Sequence, residues 1–119
     1  MAIVNLDLVG QFAITQGYEW RVNIYHPGNV IQGSAWGQIW RAYEPEQGLA
    51  RFTFERAVYD PTLDQTKIPA ILNSFITQNL PLSGPDFFVY EIRFTLPGRS
   101  PQQVMAGKVH ILPSIQALQ

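Results

Sequence analysis

The chain of 119 residues has no cysteine, two histidines, two methionines and only 14% charged residues. Without thiols, neither a disulfide framework nor a thiolate nucleophile or thiolate metal site is available. His26, beside a Pro-Gly turn, and His110, in the last apolar segment, are too few for a histidine-rich metal site, and nothing in their spacing asks for carboxylates to complete one. No run of 18 apolar residues occurs, and the start, Met1-Ala2-Ile3-Val4-Asn5, lacks a basic stretch followed by a long apolar one. The expectation is a soluble protein made in the cytoplasm, without signal peptide, transmembrane segment or membrane partner. A net charge of −1, with eight basic residues scattered along the chain, gives no field to hold a polyanion and argues against nucleic acid as a ligand. Gly28, Gly33 and Gly37 precede no helical pattern, so a phosphate-cradling loop has no context. No cofactor is expected.

What the sequence does contain is alternation. Phe87 to Leu96 alternates apolar and polar residues, breaks at Pro97-Gly98-Arg99-Ser100-Pro101 and resumes from Val104 to Leu112, the pattern of a β-hairpin with one buried face. Glu19 to Tyr25 is clean period two, with Trp20, Val22 and Ile24 inward. Leu49 to Arg56 places Phe52 and Phe54 inward. In Ala35 to Tyr43, Trp36, Gln38 and Trp40 share one side and Gly37, Ile39 and Arg41 the other, so both faces carry apolar groups. Phe12 to Thr15 is a short strand candidate, and residues 1–10 form either a first strand or an arm reaching a neighbour. Asp60 to Lys67 reads as a polar loop, and Ile68 to Leu82 as a short helical turn or irregular strand, because Pro69 opposes a long helix. Turn signals recur about every 8 to 14 residues, the rhythm of a single all-β domain, sandwich or barrel, over residues 1–119.

Catalytic chemistry finds little support. No Gly-x-Ser-x-Gly elbow accompanies the serines. Glu19, Glu55 and Glu91 are the carboxylates a glycosidase pair would need, yet each sits outward on an alternating strand near Arg21, Arg56 or Arg93, as on a solvated sheet face. No catalytic residue is assigned, and the chain is expected not to be an enzyme. Trp36, Trp40 and Tyr25 are the candidates for a sugar-stacking platform in a carbohydrate-binding module. Ile39, Phe87 and Val89 are apolar residues read at outward strand positions, and are the candidates for a protein interface.

Four ordered segments carry a family resemblance: Phe12-Ala13-Ile14-Thr15-Gln16-Gly17-Tyr18, Gly37-Gln38-Ile39-Trp40-Arg41, Phe87-Phe88-Val89-Tyr90-Glu91-Ile92 and Ala106-Gly107-Lys108-Val109-His110-Ile111. Together they resemble the small immunoglobulin-like domains of tailed-bacteriophage virion proteins, similar to the N-terminal domain of baseplate upper proteins, over about residues 10–115. Where that group often shows Leu-Thr-Gly before the Gly-x-Ile strand, this chain has Val30-Ile31-Gln32-Gly33. The resemblance implies an immunoglobulin-like antiparallel β-sandwich of about seven or eight strands. It also implies a virion location and structural work, docking onto other virion proteins in the tail or baseplate as a symmetric homo-oligomer. A capsid decoration or head-tail joining role would use the same scaffold.

Overall fold

The computed structural model describes residues 4–41, 44–82 and 88–114. These form, in chain order, β1 (Val4–Asn5), β2 (Ile14–Thr15), β3 (Trp20–Pro27), β4 (Ser34–Arg41), β5 (Glu44–Arg51), β6 (Thr53–Phe54), β7 (Val58–Asp60), β8 (Gln65–Leu72), helix α1 (Ser74–Gln78), β9 (Phe88–Thr95), β10 (Gln102–Val109) and β11 (Ile111–Leu112). One sheet has the order β1-β10-β9-β4-β5; the other has β3-β8-β6, with β7 also on β8; β2 and β11 make a short parallel pair. The segments β5, β6 and β7 belong to one continuous stretch of chain that leaves the first sheet and joins the second. Likewise β1 leads into β2 and β10 into β11, so the eleven segments amount to seven continuous stretches of strand among the described residues. Two layers, antiparallel apart from the parallel β1–β10 edge, with this neighbour order make an immunoglobulin-like β-sandwich.

Facing side chains close the two layers over one core. Trp20 and His26 on β3 meet Phe52 and Phe94, with ring centroids 5.4 and 5.3 Å apart, and Phe52 also meets Tyr90 on β9 at 6.1 Å. Around them lie Ile24, Ile68, Leu72, Ile39, Ile92 and Val109, all buried. Removing such side chains from water is the main favourable term, roughly 1.5–3 kcal/mol each. Val104 and Met105 are both buried although adjacent, because the β9–β10 register shifts between Gln103 and Met105. A β-bulge of this kind turns two successive residues toward the same side.

The N-terminal segment runs parallel to the C-terminal one. Leu6 and Leu8 N–H groups donate to the Ala106 and Lys108 carbonyls at 3.0 and 2.7 Å, and Ile14 and Gln16 continue the ladder to His110 and Leu112. Gly107 permits the approach, since a Cβ there would lie 2.5 Å from the Leu6 carbonyl oxygen. The Tyr90 hydroxyl donates to that same Leu6 oxygen at 2.6 Å from inside the core.

The loop expected over residues 60–67 is corrected: β8 begins at Gln65, and only residues 61–64 form the turn from β7. β8 is central, pairing β3 throughout and β6 and β7 on its other edge. Pro69 is tolerated there for a specific reason. A strand residue points its N–H and C=O to the same side, and the Pro69 carbonyl accepts from Glu55 N at 3.1 Å. The missing N–H therefore faces residues 55–57, where the opposing chain breaks between β6 and β7 and leaves an N–H unneeded. After β8 the chain turns into α1, whose N-cap Asn73 accepts from Ile76 N at 2.9 Å.

Two buried threonines tie the ends of the sandwich. Thr66 donates to Gly28 O at 2.7 Å and accepts from Val30 N at 3.0 Å; Thr77 donates to Tyr18 O at 2.8 Å and accepts from Gly17 N at 3.1 Å. Among the described residues, no helix is long and apolar enough to cross a membrane.

Thr66→Val keeps the shape but strands two backbone groups beside a fully buried side chain. It is expected to cost about 2 kcal/mol or more in urea unfolding, against under about 1 kcal/mol for Thr53→Val, whose hydroxyl makes one bond on an exposed residue. Equal costs at the two sites would show that the Thr66 bonds do not matter. Burial, and secondarily the charge of Asp7, raises the Tyr90 phenol above its ordinary value. The folded state therefore keeps the proton longer than the unfolded chain, which loses it near about pH 10. Stability from this group is intact below about pH 10 and falls above it, so unfolding midpoints measured from about pH 8 to 11 should drop less steeply in Tyr90→Phe than in the wild type.

Candidate functional site

The parity of β4 decides what the five-stranded sheet shows to solvent. Gly37 and Ile39 point into the core, so Trp36, Gln38 and Trp40 stand on the outer face. Register with β9 places Trp36 opposite Arg93, Gln38 opposite Glu91 and Trp40 opposite Val89; on the other side Gln38 faces Arg51 of β5. β10 adds Gln103 next to Arg93 and Lys108 next to Val89. The result is one patch of two tryptophans, a valine and surrounding long polar side chains on a flat sheet surface.

Its internal contacts are specific. The Trp36 and Trp40 rings are 5.9 Å apart and tilted by 50°. They are four residues apart on one strand, so the side chains lean together to make a single aromatic body. The Arg93 guanidinium lies 5.3 Å from the Trp36 ring centre and that of Arg51 lies 6.0 Å away. These arginines come from the strands on either side of β4, so Trp36 is held between two cations. Arg93 also pairs with Glu91, which accepts a further bond from Gln103. Trp and Arg on a surface with one carboxylate already engaged form the composition of the energetic centre of protein interfaces.

Several expected site residues land elsewhere. Ile39 is corrected: it is fully buried beneath the sheet and cannot reach a partner. The glycine at position 37 carried the missing signal, since an unsubstituted position in a strand marks the side where another group comes close. Val89 does sit on the outer face, half-buried beside Trp40. Phe87 lies outside the described residues. Trp36 and Trp40 are brought together, but Tyr25 is on the outer side of the opposite sheet, 54% exposed. There it borders a groove of about 490 Å³ with Val58, Leu63 and Lys67. A second groove, of about 620 Å³, lies between Tyr18, Trp20 and Pro113. Val58 and Leu63, exposed in the β7–β8 region, carry no signal in the sequence because they lie where alternation breaks, and Arg51, outward in the alternating stretch from Leu49 to Arg56, has none that marks it as a site residue.

The carboxylates considered for acid-base chemistry do not converge. Glu19 and Glu55 both engage Arg21 on the outer face of the second sheet, while Glu91 is on the first. Among the described residues no three His, Asp or Glu side chains gather as a metal site. His26 is buried against Phe94, with Nδ1 2.7 Å from Pro27 O and Nε2 without a hydrogen-bond partner. Near the β7–β8 turn, Tyr59 donates to Asp64 Oδ1 at 2.7 Å, which raises the phenol above its ordinary value. No protein-family model matches this chain, and none of the curated proteins matches it either.

A double-mutant cycle on Trp36→Ala and Arg93→Ala should return a coupling of about 0.5–1 kcal/mol in unfolding free energy, as for a half-exposed cation–aromatic contact. A coupling of zero would mean that the guanidinium is held by Glu91 alone.

Proposed function

We propose that this chain is a non-enzymatic structural component of a bacteriophage tail or baseplate, an adaptor that docks onto neighbouring virion proteins in multiple copies. Two lines support the reading. Three of the four segments resembling virion immunoglobulin-like domains fall mainly in strands, residues 37–41 in β4, 88–92 in β9 and 106–109 in β10, while the segment from Phe12 to Tyr18 holds the short β2 and a turn. The observation that carries it is the Trp36–Trp40 face. A half-buried aromatic pair on a flat sheet, with Arg51 and Arg93 both against Trp36, suits contact with another protein better than turnover of a small substrate.

Carbohydrate binding is the second reading, and Tyr25 supports it better than Trp36 does. Stacking a sugar needs a free aromatic face, and those of Trp36 are approached by guanidinium groups from both neighbouring strands. Tyr25, exposed beside its groove, is the residue that favours it. A capsid decoration or head-tail joining role differs from the first reading only in location.

Particles from the phage or prophage that encodes the chain should contain it in stoichiometric amount by mass spectrometry, and antibody labelling should place it on the tail. Particles lacking it would remove the proposal. Glycan-array binding that disappears in Tyr25→Ala would instead establish the second reading.

A further inference from the structure

The net charge of −1 conceals a division of charge between two surfaces. The outer face of the five-stranded sheet carries Arg51, Arg93 and Lys108 against Glu91, around the two tryptophans. The β7–β8 turn, on the other sheet, has the opposite make-up. Leu63 stands at its tip, 64% exposed, between Asp60 and Asp64, with Val58 and Tyr25 exposed behind it. The first surface centres on two tryptophans flanked by Arg51 and Arg93; the second presents Leu63 between two carboxylates, with Tyr25 and Lys67 lining the groove behind it.

The turn is also held in shape before any contact. Asp60 Oδ1 accepts from Thr62 N at 2.9 Å and Leu63 N at 3.4 Å, Tyr59 bonds to Asp64, and the Asp64 carbonyl accepts from Gly28 N at 2.8 Å. These bonds fix Asp64 at a φ of 49°, a conformation unusual for a residue with a side chain. A projection already ordered loses little entropy on docking.

We propose that the occupant of the Trp36–Trp40 face is the β7–β8 turn of a second copy of this chain. Leu63 seats against the tryptophan pair while Asp60 and Asp64 meet Arg51 and Arg93. The inference rests on the reading of that face as a docking surface, and it names the partner. Because the two surfaces differ and lie on opposite sheets, the contact is heterologous: each copy offers one turn and one face, so successive copies build a ring or an open chain. Each junction can be modest, since closure multiplies it.

Sedimentation velocity at rising concentration up to about 1 mM tests this with Arg51→Glu on the face and Leu63→Ser on the turn, both at exposed positions that leave the core intact. Wild type should form species larger than a dimer. Each variant alone should lose about thirty-fold or more in association and run as a monomer. An equimolar mixture of the two should give a dimer and nothing larger, because it retains one sound turn and one sound face. Near-identical circular dichroism and melting of the variants confirms that folding is unchanged. A monomeric wild type overturns the inference, as does Leu63→Ser assembling like wild type, or a mixture that stays monomeric. If the inference fails but Arg51→Glu is still lost from assembled particles, the docking face stands with a different occupant; if Arg51→Glu is incorporated normally, the docking face falls too.

Discussion

Everything in this fold passes through the contact between Gly37 and Phe52. The Phe52 N–H donates to the Gly37 carbonyl at 3.0 Å at the point where the chain leaves the first sheet for the second. Its ring then drops between Trp20 and Tyr90, one from each layer. A Cβ at position 37 would lie 2.9 Å from both Phe52 and Ile92, so only glycine leaves room for the ring. This single close approach sets the parity of β4. With Gly37 turned inward, Ile39 follows it into the core and Trp36, Gln38 and Trp40 are committed to the outside. The proposed docking face is thus a consequence of how the core is closed.

The same contact explains what could be read from sequence. β3 and β9 were legible because each has one buried and one wet side, so polar residues mark the outer positions: Arg21 and Asn23 in the first, Glu91 and Arg93 in the second. In β4 both sides carry apolar groups, so hydrophobicity alone does not say which side is buried. Packing decides it: the Phe52 ring sits so close to Gly37 that a Cβ there would lie 2.9 Å from it, and that side is the one turned into the core. β8 was obscured for another reason. From Ile68 to Leu72 every residue is buried, on both sides of the strand, so alternation vanishes. The outer side is covered by the ion pair of Arg21 on β3 with Glu55 beyond β6, which spans the strand lying between them. Pro69 then looked like a breaker, although its missing N–H falls where the ladder has no use for one.

Loops at the two ends of the sandwich are ordered by side chains buried within them. Thr66 and Thr77 each satisfy one carbonyl and one N–H of a neighbouring turn, which lets backbone polar groups lie inside without loss. The β7–β8 turn inherits this order through Gly28, whose carbonyl accepts from Thr66 and whose N–H donates to Asp64. A direct chain of bonds therefore connects the buried hydroxyl to the exposed leucine tip. Such order has no alternation or motif behind it and depends on residues 36 and 38 positions apart in sequence, which is why a polar loop was the natural reading of that stretch.

The low charge content has a structural counterpart in where the charges sit. Arg21 is shared by Glu19 and Glu55, Arg93 is engaged by Glu91 and stacked on Trp36, and Asp60 and Asp64 bind their own turn. Charges already satisfied within the subunit lose less solvation when another surface covers them than free ones would. Among these groups lie exposed apolar residues, Tyr25, Val58 and Leu63, with Lys67 on the same groove. In the proposed assembly, charges already fixed around the apolar patches orient each contact between copies.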